Sequence, residues 1–187
     1  MSAPTVETKR LLLRQWRDDD LDAYAAMCAD PEVMQHLGDG STFTREDAWR
    51  SMAIFTGHWV LRGYGTWAVE ERATGAMVGR IGLHFPAGWP GLEVGWALDR
   101  ACWGRGYATE GGRAALDFAW RELDAARVIS LIYPENTRSI AVAERLGETF
   151  ERTMVLNTRR VAVYGIDRAE GRSAGGARQC DDRDRLP

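Results

Sequence analysis

The chain has 187 residues, 45% hydrophobic and 27% charged, which suits one globular domain with a sizeable core and excludes a fibrous or wholly disordered protein. A formal net charge of −3 provides no bulk attraction to nucleic acid or a membrane surface and mildly favours a cationic partner. Cys28, Cys102 and Cys180 are odd in number and form no CxxC, and there is neither an apolar run near twenty residues nor a basic-then-apolar leader. A disulfide framework and a metal centre are therefore not expected, and a reducing cytoplasm is the expected compartment.

Residues 8–16 (TKRLLLRQW) read as a strand. Asp18 or Asp19 can cap a helix whose apolar positions are Leu21, Tyr24, Ala25 and Cys28, at i, i+3, i+4, i+7 spacing. Asp30-Pro31-Glu32 reads as a second helix start, and residues 35–43, with Gly38-Asp39-Gly40, as a loop. Thr44 with Asp47 forms a capping box for a helix with the stripe Ala48, Met52, Phe55, Trp59, ended by Gly63 and Gly65. Residues 66–70 and 77–85 predict two strands joined by a turn at Thr74-Gly75, and residues 86–91 a turn before a strand over 92–98. A helix carrying Leu116, Phe118, Ala119 and Leu123 follows. Then come a β-branched strand over 127–133, a helix over 136–146 stopped by Gly147, and two strands over 148–156 and 159–166 around Asn157-Thr158. Beyond Asp167 the composition cannot offset its ordering entropy, so the expected organisation is one domain over 1–167 and a disordered tail over 168–187. The order of elements is that of an α+β fold.

The stretch LEVGWALDRACWGRGYATEGGRAALDFAW, residues 92–120, combines a strand, a glycine-rich turn and a helix start. Such a junction can hold phosphate: the first helical N–H groups lack partners, the helix dipole favours negative charge, and glycine permits close approach. Arg105 could add a charge-assisted contact. Gly104-x-Gly106 followed by Thr109 fails the third position of GxGxxG, and no GxxxxGK[ST] run exists, so neither a dinucleotide fold nor a nucleotide triphosphatase is indicated. A lone GxG could equally be an ordinary turn.

In its wider context, Trp103-Gly104-Arg105-Gly106-Tyr107-Ala108-Thr109-Glu110 resembles motif A of the GNAT superfamily of N-acetyltransferases, in the form found in the branch of ribosomal-protein N-terminal acetyltransferase-like enzymes. Thr8-Lys9-Arg10-Leu11-Leu12-Leu13-Arg14 is similar to the opening of that branch, and Asn136-Thr137-Arg138-Ser139 with Glu144-Arg145-Leu146-Gly147 to the family's second signature. Glu148 departs from that signature, standing where phenylalanine is usual. The resemblance implies a mixed, mostly antiparallel six- to seven-stranded sheet with helices on both faces and splayed central strands, here 92–98 and 127–133. It implies acetyl-CoA as co-substrate and no metal. Cofactor contacts would come from Trp96, Ala97, Leu98, Trp103, Gly104, Arg105, Gly106, Tyr107, Ala108, Thr109, Asn136 and Ser139, although Asn136 could also serve simply as a helix cap.

Acetyl transfer from a thioester to an amine needs a neutral amine, a donor for the developing oxyanion and a proton for the departing thiolate. Direct transfer needs no enzyme nucleophile, and no Ser/His/Asp or Cys/His set stands out; Cys102 is a poor candidate and His84 reads as structural. Glu93 is the candidate base, with a substrate-orienting or solvated glutamate as the alternative. The oxyanion donor falls on a backbone N–H around residues 96–98. In this branch the resemblance passes the leaving-group acid to Ser139, with Tyr133 and Tyr164 as alternatives. Acceptor contacts are expected from Asp39, Glu93 and Trp89 on the loops at the open end of the sheet. The acceptor implied by the resemblance is a protein N-terminal α-amine. A small-molecule amine or antibiotic, or a non-catalytic acyl-CoA-binding module, are the competing readings. The chain is expected to be a monomer or homodimer.

Overall fold

The structure, a computed structural model, describes residues 3–156 and 158–169; Asn157, Cys180 and nearly all of the expected tail lie outside these. One eight-stranded sheet runs in the order β1-β2-β3-β4-β5-β6-β8-β7. Its strands are β1 (Val6–Glu7), β2 (Leu11–Arg14), β3 (Thr66–Glu71), β4 (Met77–His84), β5 (Glu93–Leu98), β6 (Arg127–Ile132), β7 (Thr149–Leu156) and β8 (Arg159–Asp167). Neighbours pair antiparallel except β5 and β6, which are parallel. The α+β class and the mostly antiparallel sheet match the expectation. The count rises to eight because β1 forms ahead of the expected first strand: the Thr8 hydroxyl caps the Leu11 amide at 2.9 Å, and the turn over residues 8–10 folds β1 back antiparallel onto β2.

Before the meander the chain forms α1 (Leu21–Cys28), the short α2 (Pro31–Met34) and α3 (Arg45–Arg62). Asp30 caps α2 through the Glu32 amide, Thr44 and Asp47 form the expected capping box of α3, and Gly63 ends α3 in the left-handed region at φ 76°. Tyr24, Met27, Met52 and Phe55 pack with Ala68 and Ala97 on one face of the sheet. On the other face α4 (Tyr107–Glu122) and α5 (Thr137–Leu146) set Ala115, Leu116, Ala119 and Leu146 against Trp67, Ile81, Leu83 and Val94. Two glycines let α4 come this close. A Cβ at Gly111 would strike Ile81, and one at Gly112 would lie 2.9 Å from Leu146.

The position of the sheet's parallel pair governs the site. β5 is bonded to β4 along all six residues, from Glu93 opposite His84 to Leu98 opposite Gly79. To β6 it is bonded at Glu93–Ile129 alone, with the Ile129 amide donating to the Leu92 carbonyl at 2.9 Å. Beyond that rung the two strands part. Amides alternate sides along a strand, so the peptide groups of Trp96 face the gap.

Candidate active site

The glycine turn that feeds α4 is built from backbone. Gly104 and Gly106 lie at φ 73° and 79°, where a side chain is strained, and no side chain caps the first turn of α4. The outer side of the turn is clamped instead. Arg10 reaches Glu110 at 2.7 Å and donates to the Arg105 carbonyl at 2.8 Å, while Glu110 also accepts from the Thr8 hydroxyl. Thus the two sequence motifs that lie about a hundred residues apart meet here, and Glu110 ties them together. On the neighbouring side Glu71 accepts from the Tyr107 hydroxyl, from the Thr74 hydroxyl at 2.8 Å and from the Arg105 guanidinium at 2.7 Å, contacts that hold its carboxyl below the usual carboxylate range. These ties fix the loop and leave the amides of the first helical turn pointing outward.

A cavity of about 1550 Å³ runs from this turn along Trp96–Leu98 of β5 to the start of α5; Glu93, Trp89 and the residues of β6 are not among those that border it. Trp96, Ala97, Leu98, Trp103, Gly104, Gly106, Tyr107, Ala108, Thr109, Asn136 and Ser139 all border it. Arg105 does not line it. The guanidinium expected to meet phosphate is spent on Glu71 and stacks over Tyr107, 4.7 Å from the ring centroid. The cations that border the cavity are Arg10, Arg113, Arg138 and Arg145. Of these, Arg138 lies 4.5 Å from the Trp103 ring centroid, spanning from α5 to the start of α4. Arg138, Ala141, Val142 and Arg145 form an i, i+3, i+4, i+7 stripe, a helix face that the sequence carried and the motif reading passed over.

Asn136 does cap α5, its side chain accepting from the Ser139 amide at 3.1 Å, and it also borders the cavity. Ser139 Oγ accepts from the Trp96 indole at 3.2 Å, which places this hydroxyl across the gap from β5 with its own proton to give. Tyr133 and Tyr164, the alternative acids, have other surroundings: Tyr133 donates to the Gly38 carbonyl and carries Arg159 at 3.9 Å above its ring, and Tyr164 packs beside Ile132 and Ala143.

Glu93 sits at the last closed rung, half-buried. Its Oε2 accepts from the Trp89 indole at 2.6 Å, so two of the expected acceptor-side residues form one unit. Loss of water pushes the carboxyl up to about 7, against the opposing influence of Trp89, Arg80 and the Leu131 amide, all of which favour the ionised form. That is the range in which a carboxylate can take a proton from an ammonium group and still be ionised at rest. Opposite it on β4, His84 is pushed down to about 4 by burial and the nearby His58, which makes it a neutral wall beside Trp89. Asp39, by contrast, is exposed in a turn, accepting from the Ser41 amide at 2.9 Å, and does not border the cavity. Cys102 is buried and its thiol is pushed up, the opposite of an activated nucleophile.

The comparisons with known proteins agree with this geometry. Residues 10–149 match the family described as acetyltransferase (GNAT) domain. The chain is 31% identical over 173 residues to the uncharacterized protein YkkB of Bacillus subtilis, covering 88% of this chain and 96% of that one. It is similar in structure to an acetyltransferase from Agrobacterium tumefaciens, with a TM-score of 0.79, 31% identity, and coverage of 90% and 96% of the two chains. It shares its fold with RimL, a ribosomal L7/L12 α-N-protein acetyltransferase solved with coenzyme A, at a TM-score of 0.73 and 21% identity, over 88% and 98% of the two chains. An uncapped helix start facing a parted pair of strands, together with a family match over most of the chain, leads to one conclusion: this chain belongs to the GNAT acetyltransferases and is an enzyme of the acyltransferase type.

Proposed function

We propose that this enzyme acetylates the α-amino group of a protein N-terminus, by direct attack of the amine on acetyl-CoA, the family's co-substrate. One observation carries the reading. The unpaired amides of α4 and the unpaired peptide groups of β5 border one cavity, and a carboxyl of raised proton affinity stands at the head of the gap. The residues fit the ligand: amides at a left-handed glycine turn suit a diphosphate, and a half-open strand edge suits an amide-bearing arm. Arg113 and Arg138 add positive charge beside the turn. When bound, acetyl-CoA supplies the activated acetyl thioester.

The chain's own groups then divide the work. Glu93 accepts the proton of the ammonium group, which is mostly charged at neutral pH. The Trp96 N–H, turned into the gap, donates to the carbonyl oxygen as charge gathers there. Ser139 gives the proton to the departing thiolate. The acceptor class is supported by the branch-like motif at residues 103–110 and by the fold shared with RimL. A thiol-release screen across N-terminal peptides, Nα-blocked peptides and small amines tests it. Release with free peptides alone is expected; turnover with small amines and none with peptides would move the enzyme to the competing acceptor class.

A further inference from the structure

The residue that departs from the family signature, Glu148, is buried, with 2% of its surface exposed. Its Oε1 lies 3.0 Å from Ser130 Oγ, and its Oε2 has no hydrogen-bond partner among the described residues. Ser130 Oγ also lies 2.9 Å from the Val94 carbonyl oxygen. A serine has one hydrogen, and here two acceptors compete for it. The contacts are all satisfied if Glu148 carries a proton and donates it to Ser130, which in turn donates to Val94. Carboxylic acid, hydroxyl and carbonyl then form a chain running one way.

The end of that chain matters. In a parallel ladder that continued past Glu93–Ile129, the Val94 carbonyl would accept from the Leu131 amide. Ser130 takes the carbonyl, and the freed Leu131 amide faces the Glu93 carboxylate, whose ionised form it favours. We propose that Glu148 is a positioning residue for Glu93: as a neutral acid it commits Ser130 to the Val94 carbonyl, which keeps the rung open and leaves the Leu131 amide to orient the base. The inference rests on the reading of Glu93 as the base.

The surroundings keep the acid neutral. β5 turns Glu93 toward it, a like charge; β8 sets Tyr164 opposite Ser130; α5 offers Ala143, whose carbonyl accepts the Glu148 amide; and α4 offers Gly112, packed against Leu146. Burial first, and then the Glu93 charge, push Glu148 up to about 8. Above that pH the proton leaves for solvent. Ser130 then turns to the carboxylate, because a charged acceptor binds a hydroxyl roughly twice as strongly as a neutral one. The Val94 carbonyl, losing its donor, competes for Leu131, and Glu93 loses its anchor.

Carboxyl-carbon and amide NMR titrations of the chain alone test this. In the native chain the Glu148 carboxyl should titrate near 8 and the Leu131 amide should move in two steps, one with Glu93 near 7 and one with Glu148. In Glu148→Gln, whose amide donates to Ser130 at every pH, the upper Leu131 step should vanish and the lower one persist. In Ser130→Ala the upper step should shrink while Glu148 still titrates; this variant keeps the test alive if the glutamine does not fold. Titration of Glu148 in the ordinary carboxylate range, a single Leu131 step in the native chain, or an upper step unchanged in either variant would overturn the proposal. Calorimetry with acetyl-CoA on the same proteins separates this from the functional reading. Tight binding without the upper Leu131 step sinks the inference alone, and no binding by the native chain sinks the function.

Discussion

The two ends of the cavity are made in different ways. At the start of α4 the recognition surface is peptide backbone, held by glycine conformations and clamped from outside by Arg10–Glu110 and Arg105–Glu71. Toward the β5–β6 gap it is side-chain chemistry: Ser139 borders the cavity beside Trp96, and behind the wall Glu93, Ser130 and Glu148 gather where one ladder stops. On the proposed reading, the contrast separates the grip on the cofactor from the chemistry done beside it. A backbone site depends on a few glycines, whereas the other end depends on the protonation of buried carboxyls.

The largest effect is expected at the first end. Gly106→Glu puts a side chain at φ 79° and a negative charge where the proposed function places a diphosphate, and should weaken acetyl-CoA binding at least about a hundredfold, ~2.8 kcal/mol by calorimetry. Unchanged affinity would remove the backbone half of the comparison. Next, Glu93→Gln should lower turnover by about 10²–10⁴-fold in the thiol-release assay while leaving acetyl-CoA affinity intact. In the native enzyme, rate should fall as pH drops through about 7, because Glu93 is then protonated; a flat profile across that range would argue that another group is the base.

A third test reads stability. Glu93 and Glu148 hold their protons more tightly in the folded chain than their ordinary value of 4.5, so their contribution is fully present below about 4.5 and is lost as pH rises through 7 and 8. Denaturant unfolding should therefore show Glu148→Gln gaining on the native chain as pH rises from 5 to 9, and equal curves would mean that Glu148 does not titrate in this range. The smallest effect belongs to Asn136→Ala. Loss of the α5 cap should cost about 1 kcal/mol of stability, with a modest loss of acetyl-CoA affinity because the same side chain borders the cavity.

Much of the first end could be read in order along the chain, because its causes are local. Glycines at 104 and 106, a strand before them and an amphipathic helix after them suffice to predict a tight turn with a free helix start. Asn136 followed by a helix predicts a cap, and Gly63 and Gly147 predict left-handed ends, all of which the structure has. Arg105 has a partner that the same local view could not supply. That partner, Glu71, lies on β3, and the ion pair between them holds the guanidinium outside the cavity. The break between β1 and β2 likewise required Glu110, a hundred residues away, to hold Thr8 and Arg10.

The sequence by itself determined the alternation of strands and helices and the glycine turn, because backbone conformation and apolar periodicity act over a few residues; the family came from the resemblance of its motifs. Tertiary structure alone decided that β5 leaves β6 after a single rung, that Trp89 and Leu131 converge on Glu93, and that Glu148 lies buried behind Ser130. Proton affinity depends on the loss of water and on charges brought near by folding, and neither is written in any one segment of the chain.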